Sequence, residues 1–149
     1  MEKGVKLDGV QGRRYLYHDP CHTPMKTYAP LAVAEDLLGA AVRLSDRCCG
    51  EAGTLAVSRP DIATQIRFRK EQELHQGIRD FTGQARARNG DVKLVTSCPA
   101  CMIQLSYGIR RHGLKTEVRH ISQVVAGQDR HEVDLGVFED FLRIRAHLL

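Results

Sequence analysis

Five cysteines constrain this chain more than any other feature of its sequence. They form one single position and two pairs: Cys21, then the adjacent Cys48 and Cys49, then Cys98 and Cys101 in a C-x-x-C spacing. An odd count argues against a framework of disulfides, and the N-terminal residues contain no apolar stretch typical of a secretory signal. We therefore expect a cytoplasmic protein whose thiols serve metal or redox chemistry.

The segments that precede the cysteines have the character of strands. Four segments are predicted as strands, at residues 13–18, 41–44, 92–96 and 115–120. Helices are predicted to alternate with them, at residues 30–38 with Gly39 as the cap, from Pro60 to before Gly83, at residues 100–112 and from Ser122. Such alternation is typical of a parallel α/β sheet.

The predicted fold class is α/β, a single domain with a parallel sheet of about four strands flanked by helices. Because ligands collect beyond the carboxyl ends of parallel strands, we expect all three cysteine groups to meet at that edge of the sheet. The predicted domain covers residues 13–126. An N-terminal extension at 1–12 and a helical C-terminal extension at 127–149 complete the 149 residues.

Composition excludes several classes of protein. The net charge of +4 is mild and aromatic residues make up 5% of the chain, so neither a nucleic-acid surface nor a base-stacking platform is indicated. No window resembles a membrane span, and we expect no direct membrane insertion. The charged positions of the long helix, among them Arg67, Lys70 and Glu71, are interpreted as a solvated face.

The type and placement of the cysteines point to a soft metal centre. Thiolates favour iron–sulfur clusters, zinc or Cu(I), and the segment from Cys98 to Cys101 opens a predicted helix whose N-terminus stabilises anions. A thioredoxin-like redox pair and a four-ligand structural zinc site are the alternatives. A redox pair leaves three cysteines unexplained, and five cysteines exceed the ligands of one zinc ion.

Three motifs of the chain together resemble a known family. The stretches YHDPCH from Tyr17, CCGEAG from Cys48 and TSCPAC from Thr96 are similar to the cysteine-rich CCG domain. That domain occurs in one of the subunits of heterodisulfide reductase, in the iron–sulfur subunits of glycolate oxidase, in lactate-utilisation proteins and in FAD-linked oxidases. The resemblance runs from about Tyr15 to Val125 and includes all five cysteines.

The resemblance implies a function and a cofactor. It implies that the five cysteines hold a non-cubane [4Fe–4S] cluster and that the chain transfers electrons within a FAD-linked oxidoreductase. The chemistry would be lactate- or glycolate-type oxidation of a 2-hydroxy acid, or reduction of the heterodisulfide-reductase type. FAD is expected on another domain or subunit, and other iron–sulfur domains are expected partners. Through such partners, this cytoplasmic chain is also expected at the periphery of a membrane. The chain is not expected to be active alone. The alternative is a zinc-bound, non-catalytic docking domain.

Four further residues are candidates for the surroundings of the centre. We expect His22 to contact cluster sulfur, and Gly50 and Gly53 to let the backbone pass close to a bulky inorganic group. His120 ends the fourth predicted strand and has either a structural role or a place beside the cluster. His18 is interpreted as shaping the turn after the first strand.

Overall fold

The computed structural model describes residues 14–24, 27–38, 41–51, 54–87 and 91–126. In chain order the elements are β1 (Arg14–His18), α1 (Pro30–Leu38), β2 (Val42–Leu44), α2 (Leu55–Ser58), α3 (Pro60–Thr82), β3 (Val92–Thr96), α4 (Pro99–His112), β4 (Glu117–His120) and α5 (Ile121–Val125). The two predicted extensions, together with Gly39 and Gly53, lie outside the described residues.

The four strands form one parallel sheet in the order β2-β1-β3-β4. This confirms the predicted fold class and the number of strands. The chain first moves from β1 to β2 on one side and then crosses back over β1 to reach β3 and β4. The direction of winding therefore changes between β1 and β3, which is where a parallel α/β sheet opens a crevice for ligands.

Alternate residues of the strands bury two separate hydrophobic clusters, one on each face of the sheet. Tyr15 and Tyr17 of β1 pack with α1 and α5 on one face. Leu16 and Leu94 pack with α3 and α4 on the other, and this second cluster also contains Cys49 and Cys101. The cysteine region is therefore attached to the core on the α3/α4 face.

The two long helices begin and end where the sequence predicts. Both α3 and α4 start at a proline, whose fixed φ suits the first helical turn. Each ends before a glycine in the left-handed conformation, Gly83 and Gly113. The sequence pattern does not predict the short helix α2, which packs against the first turns of α3.

One prediction on α3 is wrong. The sequence pattern assigns Lys70 to a solvated face, whereas its side chain is 3% exposed. Among the predicted apolar positions, Leu74 and Ile78 are buried, but Ile62 is 36% exposed. The central turns of α3 face the sheet and the loop after β2, so a long side chain there is covered from both sides. None of the helices in the described part of the chain is both long and apolar enough to span a bilayer.

Candidate metal centre

Three loops at the carboxyl edge of the sheet carry the cysteines. Cys21 follows β1, Cys48 and Cys49 follow β2, and Cys98 follows β3 directly before α4. Because these three strands are neighbours in the sheet, their loops start side by side. All five thiols are free. The topology thus brings the three groups to one edge, beside the change in winding direction.

Cys49 and Cys101 form the buried inner pair of this region. Their Sγ atoms lie 3.4 Å apart, and both residues are less than a tenth exposed. The hydrogen bond from Cys101 lowers the pKa of Cys49 to about 4, although burial acts in the opposite direction. The same contact, together with burial, raises the pKa of Cys101. One thiolate and one thiol therefore share the site at neutral pH.

Cys21 and Cys48 form an outer pair. Their Sγ atoms are 3.7 Å apart, Cys21 is exposed and Cys48 is half-buried. Burial raises the pKa of Cys48, against a hydrogen bond from the backbone N–H of Gly50 at 3.4 Å. Since Cys48 and Cys49 are adjacent in the chain, the outer pair is joined directly to the inner one.

Cys98 occupies the N-cap of α4. Its backbone is extended, and its Sγ accepts a hydrogen bond from the backbone N–H of Cys101 at 3.5 Å. The N–H of Cys98 in turn donates to Thr96 Oγ1 at 3.4 Å. A group bound at this position faces the N-terminal end of α4, where the helix dipole stabilises negative charge.

His18 is the residue of this site that the sequence interpretation missed. It is fully buried at the end of β1, and its Nδ1 lies 3.1 Å from the backbone oxygen of Ser45. A ring nitrogen of His18 and the Sγ atoms of Cys49 and Cys101 all lie within 4.8 Å of one another. The alternation of side chains along a strand could have indicated this position. His18 lies two residues after Leu16, so both share the face of β1 that packs with Cys49 and Cys101.

A buried polar network holds the loop after β2 against α3. Lys70 Nζ donates to the backbone oxygen of Ser45 at 2.9 Å, to its Oγ at 2.6 Å and to Glu73 Oε2 at 2.7 Å. Glu73 also accepts from the backbone N–H groups of Asp46 and Arg47. Burial lowers the pKa of Lys70. Burial alone would raise the pKa of Glu73, but the hydrogen bonds that Glu73 accepts from Lys70 and Ser45 outweigh this effect and lower the pKa. The backbone carbonyl of Ser45, which contacts His18, is therefore held in place by Lys70 of α3.

The Cys48–Glu51 loop is also tied to both long helices. Arg67 of α3 pairs with Glu51 at 3.4 Å. Gln104 of α4, with its amide oriented to satisfy both neighbours, donates to Glu51 at 2.8 Å and accepts from Arg67 Nε at 2.9 Å. A cavity of about 220 Å³ between α3 and α4 reaches Cys49 from this side.

The other predicted residues occupy different places. His22 is exposed in the loop after β1. His120 caps α5: its Nδ1 accepts from the backbone N–H of Ser122, and the Gln123 side chain accepts from the N–H of His120. His120 therefore has a structural role as the cap of α5, while its expected place beside the cluster stays a prediction. Gly50 belongs to the cysteine loop and lies against α3.

A family model matches residues 15–106 of the chain, and that model describes the CCG cysteine-rich domain. The chain belongs to the CCG cysteine-rich domain family. The match begins in β1, ends within α4 and includes all five cysteines. The resemblance stated from the three motifs is therefore confirmed.

Two curated proteins are similar to this CCG domain. Lactate utilization protein A of Shouchella clausii is 27% identical over 129 residues, which is 83% of the chain and 49% of that protein. An uncharacterized iron–sulfur protein of Methanococcus maripaludis is 29% identical over 112 residues, which is 68% of the chain and 20% of that protein. The chain thus spans half the length, or less, of these relatives. No solved structure gives a significant match.

Proposed function

We propose that this CCG domain binds an iron–sulfur cluster and transfers electrons within a larger oxidoreductase. The observation that carries the proposal is the meeting of five free thiols at one edge of the sheet, with a buried imidazole beside the inner pair. The iron–sulfur designation of one relative agrees with this reading.

The residues present fit a cluster of this kind. Iron–sulfur clusters are held by cysteine thiolates, and Cys21, Cys48, Cys49, Cys98 and Cys101 would be the ligands. The low pKa of Cys49 favours the thiolate form that ligation requires. Cys98 lies at the N-terminus of α4, where the helix dipole stabilises a bound anionic group. The buried Nε2 of His18 has no hydrogen-bond partner among the described residues, as expected where a bound group completes the site. When bound, a [4Fe–4S] cluster supplies one-electron transfer.

The wider context of the proposal follows from the relatives. The chain spans about half of a lactate utilization protein, so further domains or subunits would complete it. On the family resemblance of the three cysteine motifs, these partners would be a FAD-containing oxidase domain or subunit and other iron–sulfur domains. The substrate class would be a 2-hydroxy acid such as lactate or glycolate, and the chain would not be active alone. Free thiols suit a reducing compartment, so the proposed location is the cytoplasm.

A mononuclear zinc site is the second candidate, and one observation favours it. His18, Cys49 and Cys101 converge within 4.8 Å, which resembles three of the four ligands of a structural zinc ion. In that case the chain would be a non-catalytic docking domain, and the outer pair would take no part in binding.

Anaerobic reconstitution separates the two candidates. The reduced chain is incubated with iron and sulfide, or with Zn²⁺, and then assayed for bound iron, sulfide and zinc, and for visible absorption. We expect about four iron and four sulfide per chain for a [4Fe–4S] cluster, with a brown colour. A colourless chain with one tightly bound zinc and no sulfide would contradict the cluster proposal.

Two matched cysteine variants locate the ligands. Cys101→Ser removes a thiol of the inner pair, and Cys21→Ser removes one of the outer pair. A five-cysteine cluster requires both thiols, so we expect both variants to lose iron and sulfide. If Cys21→Ser binds metal like the unmodified chain while Cys101→Ser does not, the site is mononuclear and the zinc candidate holds. His75→Asn, at a histidine of α3 that pairs with Glu71 rather than with the cysteines, serves as the control.

A further inference from the structure

A buried imidazole faces the cysteines with one nitrogen unsatisfied. His18 is 0% exposed, and its Nε2 has no hydrogen-bond partner among the described residues. A buried polar atom without a partner destabilises the fold, so such atoms are usually satisfied by a ligand or by water. A ring nitrogen of His18 lies within 4.8 Å of the Sγ atoms of Cys49 and Cys101.

The other nitrogen of the ring determines what Nε2 can do. Nδ1 lies 3.1 Å from the backbone oxygen of Ser45, and a carbonyl oxygen only accepts hydrogen bonds. Nδ1 therefore carries a proton in both the neutral and the charged ring. In the neutral ring Nε2 holds the lone pair. A histidine that ligates a metal typically donates its second N–H to a carbonyl or carboxylate in this way.

We propose that His18 is a metal ligand in this domain, with Nε2 coordinating the same centre as Cys49 and Cys101. The inference rests on the proposed metal-binding function and adds a sixth side chain to the five cysteines. Ligation uses the lone pair of Nε2, and any proton on that atom is released to solvent together with the thiol protons. No electron is transferred in this step.

The surroundings hold His18 in position for this role. Its backbone lies within the parallel ladder, in register with Thr96 of β3, so the ring starts from a rigid strand rather than from a loop. The carbonyl of Ser45 that accepts from Nδ1 also accepts from buried Lys70 at 2.9 Å. Two independent elements, β1 and α3, thus fix the orientation of the ring.

The other histidines near this edge differ from His18 in these respects. His22 is exposed, and the Nδ1 of His120 already accepts from the backbone of α5. Neither combines burial with an unsatisfied nitrogen. His22 is therefore a matched control for His18, since it lies four residues away and next to Cys21.

Isotope labelling tests the proposal without any substitution. The full chain is prepared with ¹⁵N-histidine, reconstituted anaerobically with iron and sulfide, and examined by pulsed EPR in its paramagnetic state. We expect a strong ¹⁵N hyperfine coupling from a directly bound imidazole. A bound cluster that shows no such coupling overturns the proposal and leaves the proposed function intact.

Co²⁺ provides a test that does not depend on cluster formation. In the Co²⁺-loaded chain we expect a hyperfine-shifted, exchangeable proton signal from Nδ1–H of a ligating histidine, protected by its bond to Ser45. If the reconstituted chain binds no iron or sulfide, the proposed function fails. The Nδ1–H signal of the Co²⁺-loaded chain still shows whether His18 is a ligand. Its absence from a chain that binds Co²⁺ overturns the inference.

The variants His18→Asn and His22→Asn give a matched comparison. Asparagine keeps a donor near the position of Nδ1 for Ser45 but removes Nε2. We expect His18→Asn to weaken Co²⁺ binding by more than ~100-fold, because loss of a group that only contacts a ligand typically costs up to ~100-fold in metal affinity. We also expect the d–d absorption bands of the bound Co²⁺ to shift. His22→Asn should change neither. Equal affinities and spectra for a folded His18→Asn and the unmodified chain overturn the proposal.

Discussion

At the scale of single residues, Gly50 is a position of the cysteine loop that tolerates a side chain poorly. Its φ is +82°, in the left-handed region, and its N–H donates to Cys48 Sγ. A Cβ at this position would lie 2.8 Å from Arg67 Cγ and 3.3 Å from the backbone oxygen of Ala63. The turn that directs Cys48 and Cys49 to their two pairs therefore requires both the conformation and the small size of glycine.

We expect Gly50→Ala to destabilise the chain by about 2–5 kcal/mol, because a left-handed alanine costs ~1–2 kcal/mol and overpacking adds ~1–3 kcal/mol. Gly83→Ala is the matched control, since Gly83 has φ +69° but no atom within 4 Å of an added Cβ. It should cost only the conformational ~1–2 kcal/mol. Urea unfolding of the reduced, metal-free variants measures both values. Equal losses would show that packing against α3 contributes nothing at Gly50.

At the scale of elements, the attachment of α3 to the loop after β2 depends on a buried ion pair. Lys70 is 3% exposed at its side chain and Glu73 is 19% exposed, and both contact Ser45. Removal of one member of a buried pair leaves an uncompensated polar partner, whereas exposed pairs contribute little. This network holds the loop that carries Cys48 and Cys49 and the carbonyl that contacts His18.

We expect Lys70→Met to lower the free energy of unfolding by about 2–3 kcal/mol, less than the ~3–5 kcal/mol of a fully buried pair because Glu73 retains some solvent contact. Lys70→Met combined with Glu73→Gln should recover part of the loss, since no unpaired charge remains. Arg59→Met breaks an exposed pair between the residue that precedes α3 and Asp61 in the first turn of that helix, and it should have no measurable effect. The free energies of unfolding in denaturant are measured for the unmodified chain, the two single variants and the double variant. Equal values for Lys70→Met and Arg59→Met would contradict a stabilising role of the buried pair.

The same elements show what a sequence can predict and what it cannot. Strands, helix boundaries and the edge that carries the cysteines follow from local patterns, such as Pro99 before α4 and Gly113 after it. The burial of Lys70 and His18 does not, because both are polar residues whose partners lie 25 or more positions away in the sequence. Their polar character alone assigns such residues to the surface, and only the packed structure shows the carbonyl of Ser45 that both side chains contact.

At the scale of the whole molecule, the sheet core and the cysteine site are largely separate. The two hydrophobic clusters contain residues from all four strands and from α1, α3, α4 and α5. Of the cysteines, only Cys49 and Cys101 are buried members of these clusters, with Cys98 packed against one of them. Most of the apolar burial that stabilises the fold therefore needs no metal, unlike in small zinc domains that unfold without their ion.

We accordingly expect the reduced, metal-free chain to unfold cooperatively in urea and to keep its α/β circular dichroism. A metal that binds only the folded chain should raise the stability by mass action, by about 2.7 kcal/mol at 100 times its Kd. The measurement is the unfolding midpoint with chelator and with excess Zn²⁺, each under strict reduction. Cys101→Ser is the control, because it should lose the shift caused by Zn²⁺ while still unfolding cooperatively. A chain that shows no cooperative transition until metal is added would mean that the cysteine site, and not the sheet core, holds the fold together.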